Sequence, residues 1–384
     1  MSTLLSTFSW EELRNRRSFK WRAYDSDVLP MWVAEMDTPL AAPIQEALTT
    51  AVRRGDTGYA HQGGLPEAFA AFAERSYGWR VDPGGIRLVP DVMRGIVEVV
   101  ELLTAPGARV VVHTPAYPPF FSWMHRIGRT IVESPLTLDP GGFQVDLDRL
   151  ERDFAAGAEV FLLCNPHNPT GRVFTRKELE AVAELAERYQ VRVLVDEIHA
   201  PLTYPEAHHV PFGTLDAAAA TRAVVFVSAS KAWNLAGLKA ALAVPGPQAR
   251  PMVAGIADEV SLGAGLPGVL ASEAAFAHGR EWLDQLRSEL DANRHLLGEL
   301  LTEHLPAVRY HLPEATYLAW LDCRELGLGA DPAATFTETG RVALSSGPHF
   351  GEPGHGYARL NLGTAPERVS EAVHRMVAAL DSVG

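Results

Sequence analysis

From residue 86 to residue 245 the chain alternates short, mostly apolar runs with longer stretches in which apolar positions recur every three or four residues. Apolar runs at 86–89, 109–113, 130–134, 159–164, 191–195, 224–227 and 240–244 predict strands buried on both faces. The stretches at 92–103, 118–127 and 175–189, and one that closes at 154–157, predict helices between them. Thr175 and Glu178 form a capping box at the start of the third. Such alternation is that of parallel α/β proteins. Helical patterns at 44–52, ended by Gly55, and at 65–77 precede it. A long helical region at 267–304 follows, then strands at 317–322, 341–344 and 357–362 and a last helix at 366–380. The expected fold class is therefore α/β: a large domain with a mixed, mostly parallel sheet flanked by helices, plus a smaller α+β domain. The expected boundaries are an arm at 1–40, the large domain at 41–285 and the small domain at 286–384.

A chain of 384 residues with 47% hydrophobic and 21% charged residues has room for two packed units and a substantial core. Its net charge of −13 disfavours nucleic acid or an anionic membrane as partner, because such surfaces demand clustered cations. Small molecules or proteins are the expected partners. Cys164 and Cys323 are the only cysteines, so no disulfide framework is expected. The amino terminus turns charged too early for a signal peptide and no run approaches a membrane span, which together predict a soluble, cytoplasmic chain. The first thirty residues hold Phe8, Trp10, Phe19, Trp21 and Tyr24 without a clean period. They read as an arm packed on the rest of the chain or on a second subunit.

The chemistry concentrates after the strands, at the sheet edge where ligands bind in such folds. In VVFVSASKAWNLAGLK (224–239) a buried strand empties into a turn that carries Lys231, with Ser228 and Ser230 beside it. A lysine flanked by hydroxyls and turn amides suits imine formation with an aldehyde cofactor whose phosphate needs donors, which suggests pyridoxal phosphate. Taken alone, Lys231 could equally be a surface lysine after an edge strand. NPHNPTG (165–171) could be no more than a loop, or could offer the Asn168 amide to a ligand oxygen. Asp196 ends a strand and is either a helix cap or the partner of a protonated pyridine nitrogen; His199 is either a core histidine or a donor to the same ring. Asn168, Asp196 and Lys231 lie 28 and 35 residues apart, each after a strand, and parallel strands bring such positions to one edge.

NPHNPTG, DEIH and SASKAWNLAGLK, in that order, resemble the fold-type I pyridoxal-phosphate enzymes of the aspartate aminotransferase superfamily. LPMWVAEMD, TPAYPPF, PEATYLAWLDCRELGL and YARLNLG are similar, more narrowly, to its MalY/PatB branch of cystathionine β-lyases, or C–S lyases. The likeness runs from about Trp21 to the carboxyl terminus. It implies that Lys231 binds the cofactor and serves as base at the substrate Cα, and that Asp196 pairs with the pyridinium nitrogen. Asn168 and His199 contact the ring's phenolic oxygen and Tyr117 stacks on the ring. Ser228, Ser230 and the amides of Val92 and Met93 cradle the phosphate. Tyr59 reaches the phosphate of a neighbouring subunit, so a homodimer with shared sites is implied. Arg359 grips the substrate carboxylate, with Asn168 and Ala34 beside the substrate.

Three positions depart from the pattern. Lys239 stands where a phosphate-binding arginine is common, Asp91 where a glycine is common, and Thr38 where the branch usually has an aromatic. The activity implied is α,β-elimination from L-cystathionine or another cysteine S-conjugate; an aminotransferase and a regulatory binding protein are the alternatives. Gly263–Gly268 has the spacing of a dinucleotide loop but contains Pro267 and follows no buried strand, and His208, His209, His349 and His355 lack zinc-site spacing.

Overall fold

The structure, a computed structural model, describes residues 3–139 and 141–382; the outermost residues of the expected arm and of the expected small domain lie outside them. Its central sheet has seven strands: β1 (Arg87–Val89), β2 (Arg109–Thr114), β3 (Thr130–Pro135), β4 (Ala158–Cys164), β5 (Arg192–Asp196), β6 (Val224–Val227) and β7 (Ala241–Pro245). They lie in the order β1-β7-β6-β5-β4-β2-β3, all pairs parallel except that β7 runs against both its neighbours.

Both faces of this sheet are dry. Val160 and Leu162 of β4 face one apolar cluster with Val110, Val112, Leu194 and Phe226, whereas Phe161 and Leu163 face a second with Val111, Val193, Val195 and Val225. Successive side chains point to opposite faces, so a strand covered on both sides is apolar at nearly every inner position, which is why these runs show no clean alternation. The helix Val92–Leu103 lies hard against β6: a Cβ on Gly95 would come within 2.8 Å of the Phe226 ring. Helix Arg176–Arg188 opens on the expected capping box, with the Thr175 hydroxyl accepting from the Glu178 amide at 3.3 Å and the Glu178 carboxylate accepting from the Thr175 amide at 2.7 Å.

The C-terminal part builds a second, antiparallel sheet from β8 (Arg309–Tyr310), β9 (Leu318–Asp322), β10 (Ser345–Ser346) and β11 (Tyr357–Asn361), in the order β8-β9-β11-β10. Two expected elements are divided. The long helix breaks at Gly279 into Leu266–His278 and Arg280–His304. There the indole of Trp233 donates to the Gly279 carbonyl at 3.1 Å and packs where a Cβ would sit, 2.5 Å away. The second of these helices runs unbroken through residue 285. The strand expected at 341–344 is short: Val342–Ala343 pairs in parallel with Leu29–Pro30, and the chain then turns to join the C-terminal sheet as β10.

That pairing fastens the amino-terminal arm to its own chain. Lys20 and Asp37 form an ion pair at 2.9 Å, each side chain 1% exposed, and the Trp21 indole donates to the same carboxylate at 3.2 Å. The amides of Leu4 and Leu5 donate to Glu289. Among the described residues no helix is long and apolar enough to cross a membrane.

Candidate active site

The pairing register aligns Cys164 with Asp196 and Asp196 with Phe226, so β4, β5 and β6 end together and the segments that follow them share one edge. A cleft of ≈ 780 Å³ opens there. It is bordered by Tyr117 from beyond β2, Asn168 from beyond β4, Asp196 at the end of β5, Lys231 from beyond β6, and Arg359 from β11 of the other sheet. Ala34, Val92, Met93, His199, Ser228 and Ser230 border it too. Tyr59 does not: it is 86% exposed and outside the cleft.

Lys231 donates from Nζ to the Ala34 carbonyl at 3.1 Å. Burial, and then the Arg359 guanidinium, pull its pKa down to about 8, against the opposing pull of Asp196. Asp196 is buried and accepts from the Ile198 amide at 3.0 Å; burial raises its pKa to about 6, an effect that this hydrogen bond and Lys231 limit. Arg359 reaches Asn168 Oδ1 at 2.8 Å from Nη1, and the Trp32 carbonyl and Ser345 Oγ, both at 3.1 Å, from Nη2, while its Nε is buried without a partner. With Asn168 Oδ1 turned to the guanidinium, the amide nitrogen Nδ2 is what this residue has left to donate. His199 is buried with Nδ1 unpartnered, and burial, aided by Lys231 and Arg359, keeps its ring neutral. Burial pushes the Tyr117 phenol up to about 12.

At the other end of the cleft the helix Val92–Leu103 presents its first turn, whose amides have no acceptor within the helix. Asp91 caps it, Oδ1 accepting from the Arg94 amide at 2.8 Å, which leaves the amides of Val92 and Met93 for a ligand. The other oxygen of Asp91 pairs with Lys239 Nζ at 3.0 Å, so the two unusual residues answer one another. The Ser228 hydroxyl donates to the Ala240 carbonyl at 2.7 Å and accepts from the Ser230 amide at 3.1 Å. The Gly263–Gly268 run supports this corner. A Cβ on Gly265 or Gly268 would meet the Leu238 carbonyl at 2.4 or 2.3 Å, and the Gly265 amide donates to the Lys239 carbonyl at 2.8 Å. Those glycines exist for close packing beneath the turn in which Lys239 takes φ +60°.

Four supporting residues went unremarked in the sequence. Tyr317 donates its hydroxyl to the Ala34 carbonyl at 3.0 Å; Asn361 Nδ2 donates to the carbonyls of Val33 and Glu35 at 2.6 and 2.7 Å. Asn234 brackets Met36, accepting from its amide and donating to its carbonyl, both at 2.8 Å, and Ser345 holds Arg359. Together they set the 32–36 loop over Lys231. Tyr317, Asn234 and Asn361 lie in or beside motifs that drew notice, but a side chain bonded to a distant backbone leaves no mark on a local pattern; Ser345 had no signal at all. Thr38 is buried and is not among the residues that border the cleft.

A mostly parallel seven-stranded sheet with an acid and a lysine after successive strands, and an arginine supplied by a second sheet, defines a fold-type I aminotransferase-like protein. The chain belongs to the aminotransferase class I and II family, which matches residues 25–376. A Mycobacterium leprae protein is 44% identical over 99% of this chain and 98% of its own length. The cystathionine beta-lyase of Corynebacterium glutamicum is 37% identical, over 96% of this chain and 98% of its own. Among solved structures, cystalysin from Treponema denticola, which contains a pyridoxal 5'-phosphate cofactor, superposes with a TM-score of 0.93 at 25% identity, covering all of both chains.

Proposed function

We propose that this chain is a pyridoxal-phosphate-dependent carbon–sulfur β-lyase that converts L-cystathionine or another cysteine S-conjugate into a thiol, pyruvate and ammonia. The observation that carries the reading is the convergence of Asp196, Lys231 and Arg359 on one cleft, in a chain whose full-length relatives include a cystathionine beta-lyase.

The donors present fit the cofactor. Asp196 is a buried acid whose charge burial disfavours, so a pyridinium partner relieves it. His199 Nδ1 is an orphaned ring nitrogen at the same wall. Val92 and Met93 offer free helix-start amides, with Ser230 and the Lys239 ammonium beside them, and these suit a phosphate. When bound, pyridoxal phosphate supplies the electron sink that makes a Cα proton removable and the Cβ–S bond labile.

The residues of the chain do the rest. Arg359 takes the substrate carboxylate with its two-pronged guanidinium, and Asn168, hydrogen-bonded to it, keeps the fork oriented. Lys231, with its pKa near 8, holds a neutral fraction at physiological pH and can accept the Cα proton at Nζ. The Ala34 carbonyl, itself fixed by Tyr317, orients that nitrogen. Asp196 stays ionised above about pH 6 and holds the ring nitrogen protonated. The Tyr117 ring borders the same space and would stack on the cofactor ring. The working unit is a homodimer, with the exposed Tyr59 serving the neighbouring site.

The test is to incubate protein loaded with cofactor with L-cystathionine and no keto acid. Pyruvate and free thiol in equal amounts are expected. Amino transfer that requires an added keto acid and releases no thiol would replace this reading with an aminotransferase.

A further inference from the structure

Strand β5 runs out in two consecutive acids, Asp196 and Glu197, with opposite fates. Asp196, in phase with Leu194, faces the cleft; Glu197, in phase with Val193 and Val195, lies behind it among Phe69, Phe72, Trp79 and Phe276. The alternation carries past the strand because the Glu197 amide still donates to the Phe226 carbonyl of β6, at 3.0 Å. The Glu197 side chain is 2% exposed, and a buried carboxylate needs donors for its oxygens. Oε1 accepts from the Phe212 amide at 2.8 Å and Oε2 meets His209 Nε2 at 3.2 Å. A carboxylate can only accept, so Nε2 carries the proton. Two donors facing one side chain call for an acid, because an amide would offer them a single oxygen. His209 is itself buried, with the Tyr77 ring edge-on at 5.2 Å. The segment that supplies both donors is fixed independently: a Cβ on Gly213 would come within 2.6 Å of the Trp79 indole, and the Tyr204 hydroxyl donates to the Thr316 carbonyl at 2.6 Å.

What Glu197 fastens is the short span between two groups that border the cleft, Asp196 and His199. Up to Asp196 the backbone is held by its neighbours in the sheet, since the Asn165 amide donates to the Asp196 carbonyl at 3.0 Å. Past Glu197 the chain leaves the sheet and turns on bonds within itself. The Ile198 amide donates to Asp196 Oδ1, the Ala200 amide to the Glu197 carbonyl, both at 3.0 Å, and the Leu202 amide to the His199 carbonyl at 2.9 Å. The Glu197 side chain ties this turn to the core beneath it. Its charge works against the site, because a second carboxylate so near favours protonation of Asp196. The two bonds that it makes are therefore what it contributes. We propose that Glu197 and His209 are positioning residues of the reaction, a pair that holds from behind the cleft the turn aiming Asp196 and His199 at the cofactor ring. The inference rests on the pyridoxal-phosphate reading and adds to it two residues that do not border the cleft.

The holoenzyme is compared with His209→Leu, which removes the donor, and His209→Gln, whose amide can still donate to Glu197. Arg359 belongs to the other sheet, so His209→Leu is expected to leave KM for L-cystathionine within about twofold while kcat falls about tenfold or more, the scale of a small misplacement at a reacting centre. The visible circular dichroism of the bound cofactor, which reports how its ring is held, is expected to weaken in the same variant. His209→Gln should bring both back to within about threefold of wild type. A folded His209→Leu protein with wild-type kcat and dichroism, and nothing lost but its urea midpoint, would make the pair a fold staple and overturn the proposal. So would a glutamine variant as impaired as the leucine one. Should His209→Leu not fold, wild type supplies another reading. The Nε2 proton of His209, assigned by its disappearance from the NMR spectrum of His209→Gln, should shift when cofactor-free protein is loaded with pyridoxal phosphate; an unmoved resonance counts against the link to Asp196. Wild type that binds no cofactor removes the reading on which this rests, whereas wild type that binds it and reacts, beside unaffected variants, removes this inference alone.

Discussion

Lys231 should capture the cofactor with a pH dependence that two of its neighbours move in opposite directions. Only a neutral amine attacks an aldehyde, so the capture rate tracks the unprotonated fraction of Nζ. With the ordinary lysine value of 10.5 that fraction is roughly 0.03% at pH 7; with the value of about 8 that the cleft imposes it is roughly 9%, a gain of roughly 300-fold. The midpoint of capture by cofactor-free wild type is therefore expected near pH 8. Burial is the larger cause of the depression and Arg359 the next, while Asp196 opposes both. Arg359→Met should thus raise the midpoint, though well short of 10.5, because the burial stays. Asp196→Asn removes the anion that favours the ammonium, so its midpoint should fall below that of wild type. The assay is stopped-flow absorbance after mixing cofactor-free protein with pyridoxal phosphate across the alkaline range, with borohydride and mass spectrometry to fix the adduct to Lys231. A wild-type midpoint near 10.5, or a shift of both variants in the same direction, would refute the reasoning.

Two further outcomes follow from charges that the fold has paired. Lys20→Met leaves Asp37 buried without its cation and is expected to cost about 3–5 kcal/mol of stability, read by urea denaturation; a loss below about 1 kcal/mol would mean that the pair does not fasten the amino-terminal arm. Asp91→Asn keeps the helix cap but frees Lys239 from its carboxylate, so cofactor affinity measured by fluorescence titration should rise several-fold and become more salt-sensitive, whereas weaker binding would show that Asp91 serves the phosphate rather than competing for Lys239.

Much of this architecture was legible before any coordinates. Strands buried on both faces announce themselves as near-continuous apolar runs, and the polar clusters after them are where a parallel sheet exposes its ligand edge. Asn168, Asp196 and Lys231 could each be ordinary alone, and their spacing after successive strands is what pointed to one edge. Elements whose limits depend on distant contacts were harder to place. Trp233 divides the helix at Gly279, and the arm residues Leu29 and Pro30 draw Val342 and Ala343 away from the C-terminal sheet. Neither partner is near in sequence, so no window of residues contains the cause.

The sequence by itself determined the residue types that the chemistry needs, the strands that carry them and the family resemblance, because these rest on local pattern and composition. Only the tertiary structure decided how the charges are disposed. It paired Asp91 with Lys239 at the start of the helix, kept Thr38 off the border of the cleft, and revealed Gly265 and Gly268 as packing glycines. It also set the Ala34 carbonyl against Lys231 and buried Glu197 behind Asp196 with His209 as its partner. A charge takes its meaning from what lies within a few ångströms of it, and for Asp91, Lys231 and Arg359 those neighbours include residues 148, 197 and 191 positions away.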